Sequence, residues 1–89
     1  MAWKIDFSPT ALRQLNKLDK PTANRILKFL HERLQGLDDP RKIGARLQGR
    51  LSEFWKYRVG DYRLICSLED DRFVILVLRI GHRREVYKR

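Results

Sequence analysis

The chain has little of what staples many small proteins together. Cys66 is its single cysteine among 89 residues. An intramolecular disulfide is excluded, and a buried small hydrophobe is the expected role of that thiol. One cysteine and two distant histidines, His31 and His82, give no zinc-ligand spacing. Glu69-Asp70-Asp71 reads as an acidic turn rather than a two-metal carboxylate cluster, so neither a metal nor another cofactor is expected. There is no glycine-rich phosphate loop and no Ser-His-Asp pattern. No apolar run is long enough to cross a bilayer, and no signal peptide is expected. Those absences point to a reducing, cytoplasmic setting without a membrane partner. Repeats, low-complexity tracts and linkers are also missing, so residues 1–89 are expected to form one domain.

Positive charge is what the chain has in excess. Twenty Lys and Arg stand against eleven Asp and Glu, for a net charge of +9. A soluble domain this basic suits a polyanion or an acidic protein partner, with nucleic acid the leading candidate. A membrane surface fits less well, because the basic residues are spread over both strand-like and helix-like segments. Charge alone separates neither RNA from DNA nor binding from cleavage.

The stretch from Phe54 to Arg72 organises the rest. Val59-Gly60-Asp61-Tyr62 places a two-residue Gly-Asp turn between two alternating runs, which predicts a β-hairpin. Pairing Val59 with Tyr62 sets Tyr57 opposite Leu64, Trp55 opposite Cys66 and Arg58 opposite Arg63. Side chains alternate between faces. Trp55, Tyr57, Val59, Tyr62, Leu64 and Cys66 then form a core face, and Lys56, Arg58, Arg63 and Ile65 form the other. Like charges placed opposite one another destabilise a sheet. A hairpin that opposes two arginines beside a lysine therefore suits an anion. A solvated basic face has the same pattern, so both readings stand at this point.

Trp3 to Phe7 alternates strictly and reads as a first strand, with Trp3, Ile5 and Phe7 on one face. Ser8 and Pro9 suit the N-cap and first position of a helix reaching about Leu18. Ala11, Leu12, Leu15 and Leu18 form its apolar stripe. Pro21 opens a second helix with Ala23, Ile26, Leu27, Leu30 and Leu34 as its stripe and Gly36 as its C-cap. The outward faces hold Arg13, Lys17, Arg25, Lys28 and Arg33. Leu37 to Gly44 reads as a loop, and Ala45 to Leu51 as a segment that holds a short second strand. Phe73 to Leu78 is nearly all apolar and predicts a strand buried on both faces. The fold expected is α+β: a twisted, mostly antiparallel sheet of four to five strands packed on an N-terminal helical hairpin, in the order β-α-α-β-β-β-β. The sheet's far face is expected to be open and basic.

That open face carries Lys56, Arg58 and Arg63, and the last strand brings Arg83, Arg84 and Tyr87 into range. Such a set can hold a phosphate and stack a base. RNA cleavage without a metal requires deprotonation of a 2′-hydroxyl, charge stabilisation of the phosphorane and protonation of the 5′-oxygen. Arginines suit the middle task by bidentate contact, and remain protonated throughout. The base would be a lysine beside other cations, as Lys56 is, or a tyrosine, histidine or carboxylate. His82 lies next to Arg83 and is a candidate acid or base. Tyr87 fits either a base-stacking role or a C-terminal aromatic tucked against the core.

Several segments together resemble the RelE toxins of bacterial and archaeal toxin–antitoxin systems, within the RelE/ParE superfamily. They are Ile5-Asp6-Phe7-Ser8 leading into the helical hairpin, Leu47-Gln48-Gly49, Trp55-Lys56-Tyr57-Arg58-Val59, Asp61-Tyr62-Arg63-Leu64-Ile65 and Gly81-His82-Arg83-Arg84-Glu85-Val86-Tyr87. The resemblance spans almost the whole chain. It implies a type II toxin that cleaves mRNA in the ribosomal A site by 2′-hydroxyl attack without a metal, and so stops translation. It implies catalytic roles for Lys56, Arg58, Arg63, Arg83 and Tyr87. Arg84 competes with Arg83 for the late arginine position. Arg58 and His82 stand where the family often has lysine, which makes His82 a further acid–base candidate. Arg46, Arg50, Arg84 and Lys88 are the further basic residues expected at RNA or the ribosome. The implied partners are the ribosome, mRNA and a RelB-like antitoxin in a hetero-oligomeric complex that binds operator DNA through the antitoxin. The ParE branch offers an alternative, a DNA gyrase inhibitor without nuclease activity. Such an inhibitor has no need to keep Lys56, Arg58, Arg63 and Tyr87 together.

Overall fold

A computed structural model describes residues 3–51 and 53–82. Strand β1 (Lys4–Phe7) turns Ile5 and Phe7 toward the core, with buried Trp3 just ahead of it. Ser8 then ends the strand and caps α1 (Pro9–Lys17), its hydroxyl oxygen accepting from the Ala11 N–H at 3.0 Å. Asp19 repeats the device for α2 (Lys20–Lys28), accepting from the Thr22 N–H and, at 2.8 Å, from its hydroxyl. These hydrogen bonds satisfy donors that a helix start leaves open. From Phe29 to Leu34 the second helix widens into a π-helical turn, in which the Gln35 N–H reaches the Leu30 carbonyl. A regular α-helix to Gly36 was the expectation. Leu30 and Leu34 are fully buried nonetheless.

With β2 (Ala45–Arg46), β3 (Trp55–Val59), β4 (Tyr62–Glu69) and β5 (Val74–His82), the five strands lie in the order β1-β5-β4-β3-β2. Strands β3 (Trp55–Val59) and β4 (Tyr62–Glu69) form the hairpin in the expected register, including Arg58 opposite Arg63. Gly60 enters the turn with φ at +60°, a conformation open to glycine at little cost. Strand β5 (Val74–His82) pairs antiparallel with β4 and parallel with β1. The inward residues Tyr57, Val59, Leu64, Cys66, Ile75, Val77 and Ile80 pack on Leu15, Ile26, Leu30 and Leu34 in one continuous core. This is the α+β arrangement expected. Among the described residues, no helix is long and apolar enough to cross a membrane.

Several local expectations fail, each for a packing reason. Leu12 remains 47% exposed, because Ala11 and Leu15 already fill the contact of α1 with the core. The segment 45–51 does hold a short strand, β2 (Ala45–Arg46), which a 3₁₀ turn at Gly49–Leu51 follows. The loop before it contains another 3₁₀ turn, Pro40–Ile43, capped by Asp39. Phe73 is not in a strand. It takes a left-handed conformation (φ +53°) and sets its ring edge-on to Trp3 at 5.4 Å. The last strand instead continues past Leu78 to His82. It can do so because a bulge between Ile65/Arg79 and Cys66/Val77 absorbs Leu78. Helix α1 satisfies the backbone there: the Ser8 hydroxyl donates to the Leu78 carbonyl at 2.8 Å, and the Ile80 N–H donates to Gln14 Oε1 at 2.6 Å. The far face of the sheet is also less open than expected, since Leu47 and Phe54 fold over Ile65 in a second small cluster.

Candidate active site

The cationic face is built by the hairpin. Lys56, Arg58 and Arg63 alternate outward from strands whose other side chains are locked in the core. They border a depression of about 220 Å³ whose other wall is Ile43, Gly44 and Ala45. Tyr57 positions that wall. Its buried hydroxyl donates to the Pro40 carbonyl at 2.9 Å. A Cβ on Gly44 would lie 2.7 Å from the Tyr57 ring, so only glycine permits this approach. Burial holds the Tyr57 hydroxyl well above the usual tyrosine pKa, which keeps it a hydrogen-bond donor. Burial likewise raises the Cys66 thiol, an inert core group. The loop wall was the part of the site that sequence reasoning missed. Gly44 and Pro40 signalled a turn there, and nothing in their spacing showed that it folds back onto Tyr57.

Arg63 lines the depression, and Gly81, which has no side chain, lies opposite it on β5. Its Nη1 is buried, yet has no hydrogen-bond acceptor among the described residues. A buried donor left in that state costs free energy unless a ligand supplies the acceptor. Arg58, directly opposite, is exposed and donates through Nε to the Gly60 carbonyl at 3.4 Å. Neither arginine forms an ion pair among the described residues, where the ion pairs found are Arg41 with Asp39 and Asp70, and Arg72 with Glu69. Two guanidiniums and an ammonium on one wall are chemically suited to a phosphate. No group of three His, Cys, Asp or Glu side chains among the described residues is arranged to hold a metal ion.

The remaining candidates fall elsewhere. His82 pairs with Tyr62 and sets its ring edge-on to that of Tyr62 at 5.7 Å. Tyr62 faces the helices, so the register puts His82 on the opposite side of the sheet from Arg58 and Arg63. Arg46 pairs with Trp55, and so also faces away from Lys56, while Arg50 is exposed in the 3₁₀ turn. Arg83, Arg84, Tyr87 and Lys88 lie outside the described residues.

Fold and site together define a small basic α+β domain whose sheet presents an arginine-rich wall. The family profile described as the ParE toxin of the type II toxin–antitoxin system parDE matches residues 5–87. The chain is 29% identical over 89 residues to the toxin RelG of Mycobacterium tuberculosis, covering 100% of each protein. It is 31% identical over 90 residues to the mRNA interferase toxin RelE of Escherichia coli, covering 98% of this chain and 92% of that protein. Among solved structures, the toxin–antitoxin complex RelBE2 of Mycobacterium tuberculosis matches with a TM-score of 0.84 and 28% identity, over 93% of this chain and 100% of that one. The archaeal RelE–RelB complex of Pyrococcus horikoshii matches with a TM-score of 0.72 and 27% identity, over 97% and 100%. The protein belongs to the RelE/ParE family of type II toxins.

Proposed function

We propose that this toxin is a ribosome-dependent mRNA endonuclease that needs no metal. The observation that carries the reading is the wall of Lys56, Arg58 and Arg63, with one Arg63 nitrogen buried and lacking an acceptor among the described residues. An A-site phosphodiester supplies the missing acceptor. The 2′-oxygen attacks phosphorus as its proton passes to a base, and the 5′-oxygen leaves and takes a proton. The products are a 2′,3′-cyclic phosphate and a free 5′-hydroxyl. Arg63 and Arg58 neutralise the charge that grows on the phosphorane oxygens, and electrostatic stabilisation of this kind usually contributes most to catalysis. Lys56 lines the same depression and is the lysine there that could carry a proton. Arg83 or Arg84 and Tyr87 complete the site as the family resemblance implies, the tyrosine by stacking on a base. With His82 on the other side of the sheet, acid–base work by its ring is a poor fit to this arrangement.

The same reading gives the toxin a RelB-like antitoxin, because RelE chains similar to this one occur in complexes with RelB. An acidic, partly disordered partner suits the +9 surface. The gyrase-directed alternative finds less support, since the relatives above carry RelE and RelG names.

The test is toeprinting of mRNA on programmed ribosomes with wild-type protein and with Arg63→Ala. Cleavage at the A site by wild type alone is expected. Cleavage by neither sends the reading to a gyrase supercoiling assay, and cleavage by both removes Arg63 from the site.

A further inference from the structure

A second cationic depression lies on the helical side of the same hairpin turn. It measures about 310 Å³ and is bordered by Arg25 and Lys28 of α2, Arg33 of the π-helical turn, and Arg58 of β3. Those four cations face one carboxylate on the wall, Glu32. The fold assembles them. Arg25 lies against the turn, where a Cβ on Gly60 would meet its Nη1 at 2.8 Å. Arg58 reaches the carbonyl of the same glycine. Arg33 sits over the Phe29 ring at 6.0 Å. Arg25, Lys28 and Arg33 form no ion pair among the described residues. Like charges gathered in this way repel until an anion joins them.

Arg58 borders both this depression and the one that holds Lys56 and Arg63. The two are therefore neighbours across the hairpin turn. We propose that the helical depression is a second phosphate-binding site, which holds an RNA phosphodiester outside the scissile position. Guanidiniums from α2 and β3 are matched to phosphate oxygens, which they contact in bidentate fashion. Phe29 is the aromatic residue on this wall and is half-buried, and the four cations outnumber the apolar side chains Phe29 and Val59. The proposal rests on the ribosome-directed reading, because the RNA comes either from the mRNA strand or from ribosomal RNA.

The experiment measures binding of the full-length toxin to programmed ribosomes whose A-site codon carries 2′-O-methyl groups, and to ribosomes without mRNA. Wild type is compared with Arg25→Gln/Lys28→Gln across a range of salt concentrations. Removing two phosphate contacts is expected to weaken binding and to lower the salt slope by about 1.4 to 1.8. A loss on both kinds of ribosome assigns the phosphate to ribosomal RNA, and a loss only with mRNA present assigns it to the message. The charge-matched pair Arg13→Gln/Lys17→Gln on α1 is expected to keep the slope closer to wild type. Both substituted positions on α2 are exposed. A second pair, Lys28→Gln/Arg33→Gln, reads the same site if the first melts early. An unchanged slope in both α2 pairs, with wild type still bound, overturns the second site and leaves the nuclease reading intact. A selective loss of affinity for the antitoxin, with ribosome binding unchanged, overturns the RNA assignment. Failure of wild type to bind ribosomes at all overturns both.

Discussion

Replacing Arg63 with methionine separates a residue kept for stability from one kept for a ligand. Arg63 Nη1 is buried without an acceptor among the described residues, and Arg58 stands directly opposite. An unsatisfied buried donor costs about 1–3 kcal/mol. A like-charge pair across strands adds about 0.2–1 kcal/mol. Arg63 is only half-buried, so the rest of its guanidinium keeps some hydration. The lower end of the range, about 1 kcal/mol, is therefore the expected gain from Arg63→Met, which keeps an unbranched apolar stem and removes the donor and the charge. For a domain of this size that corresponds to a rise in Tm of about 4–8 °C. Cleavage on programmed ribosomes is expected to fall about 10²- to 10³-fold, as for the loss of one transition-state donor. Calorimetry and toeprinting on the same preparation give both numbers. A fall in Tm of that size with cleavage retained would refute the reasoning, because Arg63 would then be a structural residue.

Other parts of the molecule make equally direct predictions. Tyr57→Phe strips the donor from the buried Pro40 carbonyl and loosens the wall of the depression, so Tm is expected to drop by about 4–8 °C for each kcal/mol of the roughly 1–3 lost. An unchanged melting curve would mean that this hydrogen bond does not hold the loop. Asp19 bonds to the Thr22 hydroxyl and N–H, which lower its pKa below the ordinary 3.8. Its folded-state value lies below its unfolded one, so its contribution is present above pH 3.8 and is lost as pH falls through the lower folded value. Asp19→Asn keeps a capping side chain without that titration. Acid unfolding followed by circular dichroism is expected to show a shallower loss of stability in the variant, and superimposable acid limbs would rule the cap out as a contributor.

The hairpin shows how much is legible in local sequence. A two-residue Gly-Asp turn and strict alternation determine register, and register determines faces, so Arg58 opposite Arg63 needs no tertiary information. Helix starts were equally legible at Ser8 and Asp19, because capping is a local hydrogen bond. His82 shows the limit. Its closeness to Arg83 in sequence suggested a shared site, yet its pairing with Tyr62 at the end of β5 turns it toward the helices. Only the length of β5, extended by a bulge that Ser8 and Gln14 hold from α1, reveals which face His82 takes.

The amino-acid sequence by itself determined the cationic wall, since Lys56, Arg58 and Arg63 follow from pleat and turn alone. It also determined which stripes of the helices meet the sheet, Leu12 apart. Tertiary structure decided what surrounds that wall. It folded residues 40–45 against Tyr57 to close one side, laid Leu47 and Phe54 over Ile65, and left one Arg63 nitrogen buried without a partner among the described residues. It also carried Arg25 of α2 to the hairpin turn beside Arg58. These outcomes depend on contacts between residues far apart in the chain, which a period of two or of 3.6 residues does not encode.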